Sequence, residues 1–263
     1  MALDLSKMGF GITGTVPQDV VRELAPRVEQ AGFRSLWFNH AGAGDALVSI
    51  QTAAAVTSRL RLLSGVIPVD RVPVASIVES VRSRDLPLDR VVIGIGASAK
   101  PSPLTTVSDA AAYLHEQLQA KVFVGALGPK MRRLAVRETE GVLLNWLTPG
   151  AALQAVADKE QDLKDLPGKS AKVSVYVRVA MGEASRPMLE QQAGHYAVIP
   201  SYAANFERLG FSALDAAVYG DTAAEIQQGI APYVGTIDEV VVRAITPGDE
   251  LAELLALVEA VAG

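Results

Sequence analysis

Lys121-Val-Phe-Val-Gly-Ala-Leu-Gly-Pro-Lys-Met131, followed by Arg132-Arg-Leu-Ala-Val-Arg-Glu-Thr-Glu-Gly141 and Val142-Leu-Leu-Asn-Trp-Leu147, decides the fold. An apolar, β-branched strand runs into Gly128 and Pro129, a helical pattern follows, and a second apolar strand begins at Gly141. Two strands joined by a helix within so short a unit form a parallel crossover. Pro129 suits the first helical position, where no N–H bond is lost, and Gly125 and Gly128 let backbone approach a ligand closely. A helix that starts there aims its unpaired N–H groups past the strand end, a ready place for a phosphate. Ala126, Leu127, Lys130 and Met131 complete the turn, with Lys130 either adding a positive charge or pointing to solvent. From these residues alone a phosphate cradle and a plain capped turn both stand.

The same alternation extends in both directions. Strands are expected near Gly9–Thr13, Ser35–His40, Leu60–Val69, Arg90–Gly96, Lys121–Gly125, Gly141–Trp146, Lys172–Ala180 and Glu239–Ile245. Helical segments lie between them, such as Gln18–Ala31 with Val20, Leu24, Val28 and Ala31 on one face. The last, Asp249–Ala262, places Leu251, Leu254, Leu255, Val258 and Val261 at helical spacing. Eight strands alternating with helices point to a single α/β domain, a (β/α)8 TIM barrel over residues 1–263 with few insertions. The interval Gly182–Thr236 reads as two or three helices and is the expected insertion, with a cap over the barrel mouth, a subunit contact and ordinary outer-layer helices all open as its place.

Composition agrees with that frame. A chain of 263 residues with 49% hydrophobic content buries a large core, and its mean hydropathy of +0.24 suits strands covered on both faces. No apolar run approaches a membrane span, and the N-terminus shows no signal peptide, so a cytoplasmic location without membrane contact is expected. The absence of cysteine removes disulfides, thiol catalysis and cysteine metal sites. A net charge of -5 argues against nucleic acid as a partner.

In a barrel, function sits at the C-terminal strand ends. Strand two ends in Asn39 and His40, the latter a candidate acid, base or hydrogen-bond donor, or a loop histidine without a task. His115 and His195 form no metal set with it. Strand three ends in Ser64-Gly65-Val66, where small residues admit a flat ring or make a glycine bulge. Asp70 and Arg71 follow, with undecided partners. Strand four ends in Gly94-Ile-Gly96-Ala97-Ser98-Ala99, which imitates a dinucleotide fingerprint. Pro101 and Pro103 interrupt the helix that this motif requires, so a ligand space or a crowded barrel layer explains the glycines better. Strand six ends in Asn145, suited to a polar ring edge, and Trp146, suited to packing.

These segments carry a resemblance. Ala31-Gly-Phe-Arg-Ser-Leu-Trp-Phe-Asn-His40, Leu63-Ser-Gly-Val-Ile-Pro-Val-Asp-Arg71, Val91-Val-Ile-Gly-Ile-Gly-Ala97 and Gly125-Ala-Leu-Gly-Pro-Lys-Met-Arg-Arg-Leu-Ala135 with Gly141-Val-Leu-Leu-Asn-Trp146 resemble the bacterial luciferase-like monooxygenase family. The family includes a deazaflavin branch, oxidoreductases that use coenzyme F420. The resemblance runs from about residue 9 to residue 150. It implies a flavin or deazaflavin at the barrel mouth, its ring against Ser64, Gly65 and Val66 near a non-proline cis peptide, and its phosphate on the Gly125–Met131 turn. Asn39 and His40 match a polar pair that faces the ring, and in sugar-phosphate dehydrogenases of the deazaflavin branch the histidine is catalytic. Those enzymes also place a glutamate after the strand-four glycines, where this chain has Ala97-Ser98-Ala99-Lys100. That departure leaves His40 as the titratable group expected to act.

The function so implied is hydride transfer between coenzyme F420 and a small organic substrate. His40 would move the proton, Asn39 and Ser64 would hydrogen-bond ring or substrate, and Gly94, Gly96, Ala97 and Asn145 would border the ring. Two alternatives share the fold: a two-component monooxygenase using FMN fed by a separate reductase, and a non-catalytic protein that binds the flavin or deazaflavin. Relatives of this type are often homodimers.

Overall fold

Alternation with a period of two runs through the strands and sorts their side chains onto two surfaces. The computed structural model describes residues 3–40, 42, 44–97, 101–235 and 237–263. Ser98, Ala99 and Lys100, past the strand-four glycines, lie outside the described residues, as do Met1, Ala2, Ala41, Ala43 and Thr236.

In chain order the strands and α-helices are β1 (Met8–Thr13), α1 (Gln18–Ala31), β2 (Ser35–Asn39), α2 (Ala46–Ala54), β3 (Arg61–Ser64), β4 (Ile67–Pro68), α3 (Val74–Ser83), β5 (Val91–Gly96), α4 (Pro103–Leu118), β6 (Lys121–Gly125), α5 (Pro129–Glu138) and β7 (Gly141–Asn145). Then follow α6 (Pro149–Asp162), β8 (Lys172–Met181), α7 (Arg186–Ala197), α8 (Pro200–Leu209), β9 (Ala217–Gly220), α9 (Ala223–Ile230), β10 (Glu239–Ile245) and α10 (Leu251–Ala262). Parallel pairing runs β1-β2-β3-β5-β6-β7-β8, and β10 closes the ring by pairing with β8 from Glu239↔Ser174 to Ile245↔Ala180 and with β1 from Met8↔Val240. The result is the closed eight-stranded (β/α)8 barrel expected from the sequence.

Two readings are refined. The expected strand Leu60–Val69 is split into β3 and β4 around Gly65–Val66, whose peptide bond is cis. The Gly182–Thr236 interval contains α7, α8 and α9, and also β9, which pairs with the end of β8 from Arg178↔Ala217 to Met181↔Gly220. Ala217-Val-Tyr-Gly220 is too short to show a period, so this strand is set by the free edge of β8 and not by its own pattern.

Outward-facing strand residues such as Ile12, Phe38, Ile93, Val124, Leu144, Val177 and Val242 pack beneath the helices in the larger core. On α1 the buried face is Val21, Leu24, Ala25 and Val28, with Val20 and Ala31 half-buried at its edges. On α10 it is Leu254, Leu257, Val258, Ala260 and Val261, and Leu251 and Leu255 are half-buried. Inside the barrel a separate layer of Trp37, Leu63, Val92, Phe123, Leu143, Tyr176 and Val241 fills the lumen. Full burial of such side chains stabilises by about 1.5–3 kcal/mol each.

Below this layer lies a polar knot. Glu239 is buried and accepts from the Ser35 hydroxyl, from Ser174 Oγ at 3.3 Å and from Trp37 Nε1 at 3.4 Å. The carboxylate thereby ties β2, β8 and β10 together across the point where the barrel closes. Replacing Glu239 with Ala is expected to lower the unfolding free energy by about 2–4 kcal/mol, because buried donors lose a charged acceptor. Equilibrium urea denaturation measures the loss; an unchanged midpoint would show that the knot contributes nothing.

Candidate functional site

Above the Trp37–Tyr176 layer the same inward positions change character. Successive strand ends present Thr13, Asn39, Gly65, Gly96, Gly125, Asn145, Arg178 and Arg243, so the lumen opens into a mouth lined by polar groups and bare backbone. The principal cavity there has a volume of about 550 Å³. It brings together Asn39, His40, Gly65, Val66, Gly96, Ala97, Gly125, Ala126, Leu127, Gly128, Met131 and Asn145 from the sequence expectations, and adds Tyr176, Tyr196 and Tyr202.

Asn39, at the end of β2, donates from Nδ2 to the Gly65 carbonyl at 2.7 Å, which fixes the amide against the β3–β4 break. Its Oδ1 is buried without a hydrogen-bond partner. The Tyr176 hydroxyl is likewise buried and unpartnered, and burial pushes its ionisation well above the ordinary phenol value, so it remains a donor. A Cβ added at Gly65 would lie 2.1 Å from that hydroxyl, so only glycine lets the tyrosine reach the cavity floor.

His40 follows β2 and precedes α2, which is capped by Asp45 through the Leu47 N–H at 2.9 Å. The Ala46 N–H points at His40 Nδ1 at 3.5 Å, and Asp45 Oδ1 stands 4.0 Å from the same nitrogen. Burial holds the imidazole pKa below its ordinary value; Asp45 works against that shift and Arg71 adds to it. The neutral ring therefore predominates at pH 7, with Nδ1 as acceptor and the hydrogen on Nε2.

The turn after β6 behaves as its residues suggest. Gly128 caps α5 with no side-chain bond, and Pro129 occupies the first turn. The N–H groups of Lys130 and Met131 precede the first intrahelical bond, from Arg132 to the Gly128 carbonyl at 3.1 Å. Gly128 and Met131 line the cavity, so the positive end of the helix borders it. Pro129 and Lys130 are exposed and do not line it.

Two expected residues stand elsewhere. Ser64 is fully buried; its hydroxyl donates to the Gly94 carbonyl at 3.0 Å and accepts from the Gly94 N–H at 2.8 Å. It stitches β3 to β5 below the cavity, and Gly94 is enclosed with it, so neither lines the cavity. Asn145 does line the cavity, yet both ends of its amide are engaged: Oδ1 accepts from Arg178 Nη1, and Nδ2 reaches the Tyr202 hydroxyl at 3.1 Å. It positions an aromatic wall. Trp146 is fully buried and packs on Tyr196, with ring centroids 5.3 Å apart, and the Arg178 guanidinium lies 4.1 Å above the Trp146 ring. Tyr196 and Tyr202 meet edge to face at 4.7 Å, and burial raises the Tyr202 pKa to about 12. Helices α7 and α8 of the Gly182–Thr236 interval thus supply one wall of the cavity.

Arg178 and Arg243 are the functional candidates missing from the sequence reading. Each interrupts an otherwise apolar strand, in Val175-Tyr-Val-Arg-Val-Ala180 and Val240-Val-Val-Arg-Ala-Ile245, and an inward cation in such a strand is the signal that marks them. Among the described residues no group of three His, Asp or Glu is placed to hold a metal ion.

His40 is expected to titrate below its ordinary value of 6.5. Because the folded state binds that proton less readily than the unfolded chain, stability falls as pH drops from there through the folded pKa. Asp45→Asn should lower the His40 pKa further and Arg71→Gln should raise it, both followed by NMR titration of the ring protons. Shifts in the opposite directions would overturn the assignment of these two neighbours.

Residues 6–117 match the model of the luciferase-like monooxygenase family, which bears out the resemblance read from the sequence. No curated protein matches by sequence. Among solved structures, an F420-dependent secondary alcohol dehydrogenase in complex with an F420-acetone adduct is 14% identical, with 99% of each chain covered and a TM-score of 0.74. A coenzyme F420-dependent tetrahydromethanopterin reductase from Methanopyrus kandleri is 15% identical, covering 95% of this chain and 96% of that one at a TM-score of 0.69. The oxygenating constituent of 3,6-diketocamphane monooxygenase from Pseudomonas putida, in complex with FMN, is 11% identical, with 97% of each chain covered and a TM-score of 0.71. At these identities the likeness is one of fold, and that fold is shared by F420- and FMN-dependent enzymes.

Proposed function

We propose, with the luciferase-like barrel as premise, that the chain is an oxidoreductase that seats coenzyme F420 at the barrel mouth and exchanges hydride between it and a small organic substrate. The observation that carries this reading is the pair of orphaned polar groups on the cavity wall, Asn39 Oδ1 and the Tyr176 hydroxyl. A buried acceptor and a buried donor without partners cost about 1–3 kcal/mol each, and the donor and acceptor edge of a flavin-type ring relieves both. Gly65, Gly96 and Gly125 bring backbone to the cavity, the first making room for Tyr176 and the other two for the Val66 side chain, and the uncapped start of α5 suits a phosphate.

When bound, a deazaflavin supplies or accepts a hydride at its C5 position. The protein contributes orientation, water exclusion and proton movement. Asn39 and Tyr176 would hold the ring edge, and Val66 would pack against the ring. Tyr196, Ile199 and Tyr202 roof the cavity and keep water from the reacting carbon. With Nδ1 of His40 facing the Ala46 N–H, Nε2–H is the ring group left to hydrogen-bond the substrate oxygen, and it passes on its proton only from the imidazolium, after Nδ1 has taken up a proton from solvent.

Titration with coenzyme F420 and with FMN, oxidised and reduced, tests the reading by fluorescence and calorimetry. Preference for F420 supports it. Preference for reduced FMN moves the chain to oxygen chemistry with a separate reductase, tight retention without turnover points to a binding protein, and binding of neither removes the proposal. His40→Ala should cut turnover by about 100-fold or more while cofactor affinity changes by less than about threefold. Equal losses in both would remove the chemical role of His40.

A further inference from the structure

Beside the principal cavity lies a second one of about 430 Å³, lined by Thr13, Gln191, Gln192, His195, Arg243 and Asp249 among others. The two are neighbours across the mouth. Thr13 pairs in register with Asn39, and His195 on α7 precedes Tyr196 of the principal cavity, their rings 5.6 Å apart. Between them stands Arg178, which donates from Nε to Gln192 on the second cavity and from Nη1 to Asn145 on the principal one.

Arg178 and Arg243 are directly opposed in the β8–β10 register. Both belong to the inward set, both are buried to within 5% of full enclosure, and burial lowers the pKa of each, with repulsion from Arg243 adding to the shift at Arg178. Guanidinium groups keep their charge, so two cations lie side by side at the strand ends. Among the described residues neither forms an ion pair with a carboxylate within 4.0 Å. The partners of Arg178 are neutral amides and the rings of Trp146 and Tyr196, and Arg243 donates to the Ala244 carbonyl. The nearest counter-charge is Asp249, whose carboxylate is occupied by Thr13 Oγ1 at 3.3 Å and Thr246 Oγ1 at 3.1 Å. Buried positive charge in excess of its carboxylates, on the wall of a cavity, is a receptor for an anion.

We propose that the second cavity binds the oxyanion end, carboxylate or phosphate, of the small-molecule substrate, with Arg243 as its direct partner and Arg178 adding field from the strand beside it. The substrate class is then an organic anion whose reacting carbon extends past Arg178 into the principal cavity. Calling the bound anion the substrate rests on the oxidoreductase reading; the existence of the anion site does not. Asp249 opposes binding, and this gives the proposal a second handle.

The test follows the arginine Nε–Hε resonances of the full-length protein by NMR during titration with succinate, with its neutral diamide, and with inorganic phosphate. Saturable shifts of the Arg243 signal with succinate or phosphate and none with the diamide are expected, and the tighter of the two anions identifies the head group. Arg243→Gln should weaken binding of that anion by about tenfold or more, and Asp249→Asn should tighten it by about threefold. Asn tolerates the left-handed backbone of residue 249, φ 54°, so this variant keeps the test open if Arg243→Gln does not fold. Equal response to the diamide, or anion affinity unmoved by Asp249→Asn, overturns the proposal. Titration with coenzyme F420 in the same variants separates the two readings. Loss of anion binding with cofactor binding intact follows from the anion site alone, whereas Arg243-dependent anion binding in a protein that binds no cofactor would retain the site and end the oxidoreductase reading.

Discussion

Closure of the parallel barrel is the constraint on which the rest depends. Once β10 pairs with both β8 and β1, no strand can slip by one residue without turning its whole outward apolar set into the lumen. Register is therefore fixed around the ring, and with it the height of every inward side chain. The Glu239 knot lies lowest, the Trp37–Tyr176 layer fills the middle, and whatever occupies the next inward position must face the mouth. Asn39, Asn145, Arg178 and Arg243 owe their location to this period and to no local motif.

The middle layer also gives the mouth its floor. Trp37, Phe123 and Tyr176 interlock, with the Trp37 ring 5.6 Å from Tyr176 and 6.1 Å from Phe123, and so plug the lumen beneath the cavity. On the far side Arg178 binds β8 to β7 through Asn145, to α7 through Gln192, and to the Trp146 and Tyr196 rings. Cation–ring contacts of this kind contribute about 0.5–2 kcal/mol when desolvated. One buried arginine thus holds the aromatic wall in place while leaving positive charge at the mouth. The opposite wall is backbone at Gly65, Gly96 and Gly125, with the Val66 side chain over the last two.

The elements were legible where a pattern spans enough residues to show its period. β6, α5 and β7 follow from Gly128, Pro129 and the flanking apolar runs, and the barrel follows from their repetition. The lining of the cavity was legible where small residues or a lone polar pair interrupt a strand end, as at Asn39-His40 and at Gly125, Gly128 and Met131. Ser64 looked like a ligand contact because its residue type is polar, but the β3–β5 stagger turns its hydroxyl to Gly94. β9 escaped because four residues carry no period. Arg178 and Arg243 escaped because the valines around them dominate any average over the strand.

A crystal structure of the protein with oxidised coenzyme F420 is the most direct test of the central claim. The ring is expected in the principal cavity against Val66, its polar edge bonded to Asn39 Oδ1 and the Tyr176 hydroxyl, and its phosphate at the start of α5. A cofactor seated elsewhere, or one that leaves Asn39 Oδ1 and Tyr176 without partners, would contradict it.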